Sequence, residues 1–127
     1  MARTSASLVA SAAAAPPNIL LITADDLRPE LGTYGSPAVT PHLDALAARG
    51  TTFTRAYCQQ AVCNPSRSSM LTGLRPGTLG LYVNGTHFRE LKADVTTLPL
   101  WFKEHGYTTR CAGKLFHNWH TKERGDP

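Results

Sequence analysis

Only three cysteines occur in the 127 residues: Cys58, Cys63 and Cys111. So small and odd a number excludes a disulfide framework. No Cys-x-x-Cys pair and no Cys/His array with zinc spacing is present, which excludes a structural zinc module. Also missing is an apolar run of about 20 residues, so no stable membrane span is expected. Charged residues make up only 17% of the chain, and its 13 Lys and Arg are scattered. The net charge of +4 would attract polyanions. Without a basic run interleaved with aromatics, however, no nucleic-acid footprint is expected. What is present fits a globular chain: hydrophobic residues reach 42%, and nine prolines and ten glycines are spread out as turn signals. The length suits one small domain or part of a larger one.

Residues 1–17, MARTSASLVASAAAAPP, are rich in Ala and Ser. They read either as a weak signal peptide ending in small residues or as a disordered leader. Order is expected from Asn18. Ile19, Leu20, Leu21 and Ile22 form the continuous apolar run of a buried parallel strand, which ends in Asp25 and Asp26. Ligands of open α/β sheets bind at such strand ends.

A helix is expected after Thr40 as N-cap, with Pro41 in its first turn. Leu43, Leu46 and Ala47 lie on one face, and Gly50 is the stop. A strand follows over residues 51–57. Pro65 opens a second helix that ends near Gly73, and residues 73–96 read as loop. A third helix starts at Thr97, carries Leu100, Trp101 and Phe102, and ends at Gly106. Residues 107–111 form a further short strand ahead of Gly113 and Lys114. Trp101 and Phe102 are expected in the core. Alternating strands and helices imply an α/β layered sheet.

The chemistry concentrates at Cys63-Asn64-Pro65-Ser66-Arg67, followed by Leu71-Thr72-Gly73. A thiol just before a helix sits where the helix dipole and free N–H groups favour negative charge. Arg67, one turn on, adds a fixed cation. That setting binds an oxyanion and lowers a thiol's pKa. Spacing alone also fits an inert buried cysteine.

These residues resemble the signature of the type I, formylglycine-dependent sulfatases. Three further segments agree in order: residues 18–23 with Asp25-Asp26; Thr40-Pro-His-Leu-Asp-Ala-Leu-Ala; and residues 98–107 leading to Gly113-Lys114. Lys114-x-x-His117 is similar to a subgroup form of the family's more frequent Lys-x-His. Asn64 stands where Ala or Thr is commoner, and Cys58 and Cys111 are not family positions. The resemblance implies an alkaline-phosphatase-like layered sheet with flanking helices, present here in part, with residues 18–127 as the amino-terminal part of the catalytic domain.

The same resemblance implies the site. Asp25, Asp26 and residue 63 would hold one divalent cation, Ca2+. Cys63 would be converted to formylglycine (3-oxoalanine) by the formylglycine-generating enzyme. Its hydrate would attack sulfur and form a covalent sulfate ester, which then expels sulfate. Arg67 would hold the diol, Lys114 the sulfate oxygens, and His117 would take a proton. The expected substrate is a sulfated carbohydrate or another sulfate ester. A secreted, lysosomal or periplasmic location would follow. His42, His87, His105 and His120 are read as non-catalytic, and the Asn84-Gly85-Thr86 sequon as unused. Two other readings stay open: a non-catalytic piece of such an enzyme, and a small thiol redox protein, which would lack a resolving cysteine at the usual spacing.

Overall fold

The computed structural model describes residues 15–117. The leader over residues 1–17, apart from its last three positions, and His120 lie outside the described residues.

Five helices organise the described chain: α1 (Pro41–Arg49), α2 (Cys63–Thr72), α3 (Pro76–Leu79), α4 (Phe88–Leu91) and α5 (Leu98–Glu104). A 3-10 turn, Gly32–Tyr34, precedes them. α2 begins two residues ahead of Pro65 and ends at Gly73, whose left-handed backbone (φ 71°) returns its N–H to the Ser69 carbonyl. α5 begins as its sequence dictates: Thr97 Oγ1 accepts the Leu100 N–H at 3.3 Å, and Pro lies in the first turn. The stretch read as loop, residues 73–96, holds the two single-turn helices α3 and α4. α4 is closed by a capping box between His87 and Glu90.

The expected sheet does not form among the described residues. Residues 18–23 and 107–111 form no strand ladder, and residues 51–57 turn at Thr54 and Arg55 without pairing. A strand exists only as a member of a pair, because its N–H and C=O groups bond to a neighbour and not to itself. Here no described segment lies in register beside the apolar run. Leu20 is accordingly 84% exposed and Ile22 73% exposed, the reverse of a buried central strand. Residues 18–23 and 107–115 instead line a groove of about 780 Å3, together with Leu98 and Phe102 of α5.

Two other expectations change for the same reason. The apolar face of α1 stays open, with Leu46 55% exposed. Trp101, expected in the core, is 46% exposed and stacks on His105 with centroids 3.9 Å apart. Thr40 does precede α1, but its side chain caps no helix N–H. Its Oγ1 accepts the Gly32 N–H at 2.9 Å and donates to the Asp44 carboxylate, which also accepts the Thr33 N–H at 2.8 Å. That carboxylate explains Gly32: a Cβ there would lie 2.6 Å from Asp44 Oδ2.

The core is small. Leu71, Leu79, Leu81, Phe88 and Phe116 are buried, with Leu74, Val95 and Leu115 packed on them. Phe88 and Phe116 stack at 5.3 Å. Full burial of each such side chain contributes about 1.5–3 kcal/mol. The core matters to the site because α2 divides between the two. Asn64, Ser68 and Leu71 are buried on one face, whereas Cys63, Ser66, Arg67 and Met70 line a cavity on the other. Phe116 anchors the segment that carries Lys114.

Candidate active site

Residues far apart in sequence meet at the start of α2. Ligand atoms of Asp25, Asp26 and Cys63 lie within 4.8 Å of one another. They line a cavity of about 220 Å3 together with Arg67 and Gln60. The turn that carries the acids follows the apolar run. Asp26 has φ 51°, a left-handed conformation that aspartate tolerates better than most residues. That single backbone reversal sets two consecutive carboxylates on the same cavity, although successive side chains of an extended chain point to opposite sides.

Arg67 organises the surroundings. It is 7% exposed, and its guanidinium reaches both halves of the site. Nη2 donates to Asp25 Oδ1 at 2.9 Å. Nη1 donates to the carbonyls of Lys114 and Leu115, the latter at 3.1 Å. A planar fork of donors with fixed charge suits this bridging role, which a lysine could not fill. Lys114 then turns back on the same acid, with Nζ 2.7 Å from Asp25 Oδ2.

Two cations on one carboxylate shift its titration. Asp25 is lowered from 3.8 to about 2, chiefly by the Lys114 hydrogen bond and next by that of Arg67. Lys114 is raised above its ordinary value, first by its hydrogen bond to Asp25.

The donor set fits a divalent cation. Each Asp25 oxygen accepts one side-chain bond and keeps a further lone pair. Asp26 and Cys63 complete the group. Carboxylates are hard donors suited to Ca2+, but a thiol is a soft one that favours other metals. An oxygen at position 63 would make the set uniformly hard.

Of the expected site residues, Asp25, Asp26, Cys63 and Arg67 share the cavity, and Lys114 joins them through Asp25. Asp25, Arg67 and Lys114 also line the larger groove, so the acid and its two cations stand between the two hollows. His117 lines neither. It is half-buried, and its Nδ1 is enclosed without a hydrogen-bond partner among the described residues.

Sequence reasoning missed two neighbours. Cys58 is exposed and lines the same cavity as Cys63, and all three cysteines are free thiols. Gln60 also faces the cavity, and its Nε2 donates to the Tyr82 carbonyl at 2.9 Å. The signal for both was proximity in sequence to the reactive segment.

The chain is similar to known proteins in its sequence. A family model described as Sulfatase matches residues 17–127. The chain is 50% identical over 101 residues to iduronate 2-sulfatase of Mus musculus, a match covering 79% of this chain and 18% of that protein. It is 46% identical over 114 residues to arylsulfatase A of Bos taurus, covering 86% and 22%. It is 43% identical over 111 residues to a sulfatase of Formosa agariphila, covering 81% and 22%. The chain thus spans about a fifth of the length of the curated relatives it matches.

Proposed function

The chain belongs to the sulfatase family, and on that premise we propose that the protein hydrolyses sulfate esters at the start of α2, with sulfated sugars as the substrate class. One observation carries the reading: Asp25, Asp26 and Cys63 present ligand atoms within 4.8 Å of one another, beside Arg67 and Lys114. Residues 18–127 are then part of a catalytic domain of the alkaline-phosphatase-like α/β type, whose full sheet includes residues 18–23.

Asp25, Asp26 and residue 63 would hold Ca2+ in this reading. When bound, the ion acts as a Lewis acid toward the sulfate and toward the oxygen at position 63. Formylglycine at position 63, made by the formylglycine-generating enzyme, would take up water, and a hydroxyl of the resulting diol would be the nucleophile. An oxygen there also matches the hardness of the two acids, so calcium and conversion belong together.

The chain's own groups do the rest. Lys114 and Arg67 place fixed positive charge where the sulfate oxygens gather negative charge, and such placement is worth most where water is excluded. Asp25 holds both cations in register before substrate arrives. His117, which lines neither hollow here and whose Nδ1 has no hydrogen-bond partner among the described residues, would have to turn toward residue 63 to accept its proton, a role that suits imidazole near neutral pH. A secreted, lysosomal or periplasmic location is part of the same reading.

A second reading has the 127 residues acting as a non-catalytic piece. It is favoured by the open run at residues 18–23 and by the share of the relatives' length that the chain spans. Mass spectrometry of the peptide holding Cys63, from a host with the modifying enzyme, tests the main reading, coupled to an aryl sulfate assay of the full-length protein. Formylglycine with turnover supports it. An unmodified thiol in an active protein would overturn it.

A further inference from the structure

α2 starts without a cap of its own. Val62, just before Cys63, is extended and its side chain makes no cap bond. The first N–H groups of a helix have no acceptor within the helix and need one from elsewhere. For Asn64 the acceptor comes from 20 positions away: Asn84 Oδ1 takes the Asn64 N–H at 3.1 Å.

The contact is returned several times over. The Asn64 side chain is 2% exposed, and its amide is fully engaged. Nδ2 donates to the carbonyls of Thr86 (2.6 Å), Val83 (3.1 Å) and Asn84 (3.4 Å). Oδ1 accepts the Ser68 hydroxyl at 3.2 Å. Gln60 adds the bond to the Tyr82 carbonyl. The loop over residues 82–86 is therefore stitched to the residue after Cys63 and to the residue three before it. An alanine at position 64 could make none of the side-chain bonds.

We propose that Asn84 is a positioning residue for position 63: as a distant N-cap it keeps the first turn of α2 wound and holds residue 63 toward Asp25 and Asp26. This rests on the reading that position 63 carries the reaction. It also gives the Asn84-Gly85-Thr86 triplet a role other than glycosylation. The side-chain oxygen of Asn84 serves the helix, and the Thr86 carbonyl, not its hydroxyl, serves Asn64.

Three variants of the full-length protein separate these roles. Asn84→Ala removes the cap and the sequon. Asn84→Asp removes the sequon but keeps an acceptor oxygen of a kind favoured at N-caps. Thr86→Val removes the sequon and leaves the carbonyl in place. Two readouts are taken: hydrogen exchange at the Asn64 amide, and kcat and KM on an aryl sulfate. With Asn84→Ala, exchange should rise about fivefold to tenfold. kcat should fall roughly tenfold or more with KM within about twofold, because misplacing a reacting group affects the chemical step. Asn84→Asp should restore both readouts, and Thr86→Val should match the unaltered protein. If Asn84→Ala does not fold, Asn84→Gln, which moves the same oxygen by one methylene, is read in the same way. Unchanged exchange and kcat in the variant without the cap would overturn the proposal. So would a Thr86→Val loss equal to that of Asn84→Ala, since the sequon would then be the cause. If the unaltered protein hydrolyses no ester, the functional reading fails, and the exchange measurement alone decides the cap.

Discussion

Lys114 Nζ lies 2.7 Å from Asp25 Oδ2, although 89 positions separate the two residues. The pair closes the site from opposite ends of the described chain, and Arg67 braces it from α2. Two cations that take different oxygens of one carboxylate define where further charge is welcome. On the proposed reading, a metal would approach the free lone pairs of Asp25, and a sulfate the ammonium of Lys114.

The first prediction concerns acid stability. Asp25 is lowered from 3.8 to about 2, so its folded value lies below its unfolded one. Its stabilising contribution is complete above pH 3.8 and is lost as pH falls through about 2. Lys114 is raised, so its contribution is complete below 10.5 and is lost as pH rises through its higher folded value. Asp25→Asn should flatten both limbs of a plot of Tm against pH relative to the unaltered protein. Parallel curves would refute the coupling.

The second prediction separates backbone from ligand at Asp26. With φ 51°, alanine there should cost about 1 kcal/mol, because few L-residues adopt this conformation easily. Asparagine, which tolerates it, should cost little. Both should weaken calcium binding measured by calorimetry. Denaturant unfolding in chelator, where no metal contributes, should rank Asn above Ala.

The third prediction is chemical. Cys63→Ser in the full-length protein should abolish turnover, since one hydroxyl can attack sulfur but cannot expel the trapped sulfate. Intact mass should then show a sulfated adduct accumulating with substrate. Undiminished turnover would end the formylglycine reading.

The fourth prediction tests how thin the core is. Leu71 is 1% exposed and belongs to a buried cluster of five side chains among the described residues. Leu71→Ala should cost about 2–5 kcal/mol, a large share of the stability of any domain this small. Loss of cooperative melting in the 127-residue chain is the expected result. Leu46→Ala, on the open face of α1, should change Tm little.

The fifth prediction is that the 127 residues alone hydrolyse no simple aryl sulfate at a measurable rate, even with position 63 converted. Two carboxylates and one further oxygen fall short of the six to eight ligands that calcium takes. A solvent-open site also screens Arg67 and Lys114. Turnover comparable to that of a full-length relative would contradict this.

Helices were legible because their signals are local. Thr97 with its following proline, and Gly73 at the end of α2, act within a few residues of themselves. The gathering of Asp25, Asp26, Cys63 and Arg67 was legible through the resemblance, which carries tertiary information that periodicity lacks. The strands expected from the sequence do not form among the described residues, because the apolar run at residues 18–23 states a need for neighbours without supplying them. Trp101 was misjudged for a related reason: an apolar residue is buried only if something covers it. Asn84 was read as a chance sequon, since nothing local announces a cap acting across 20 positions. His117 was placed by its offset from Lys114, and an offset does not fix where a ring points.

The exposed run has one more consequence. Asn18-Ile-Leu-Leu-Ile-Thr23 is six residues long, uncharged, free of proline and glycine, and open at its backbone edge. Segments of that kind stack on copies of themselves into cross-β assemblies. The solubility of the 127-residue chain should therefore be governed by concentration more than by temperature. A single lysine in place of Leu20, the most exposed of the four aliphatics, should raise the concentration at which fibrils nucleate.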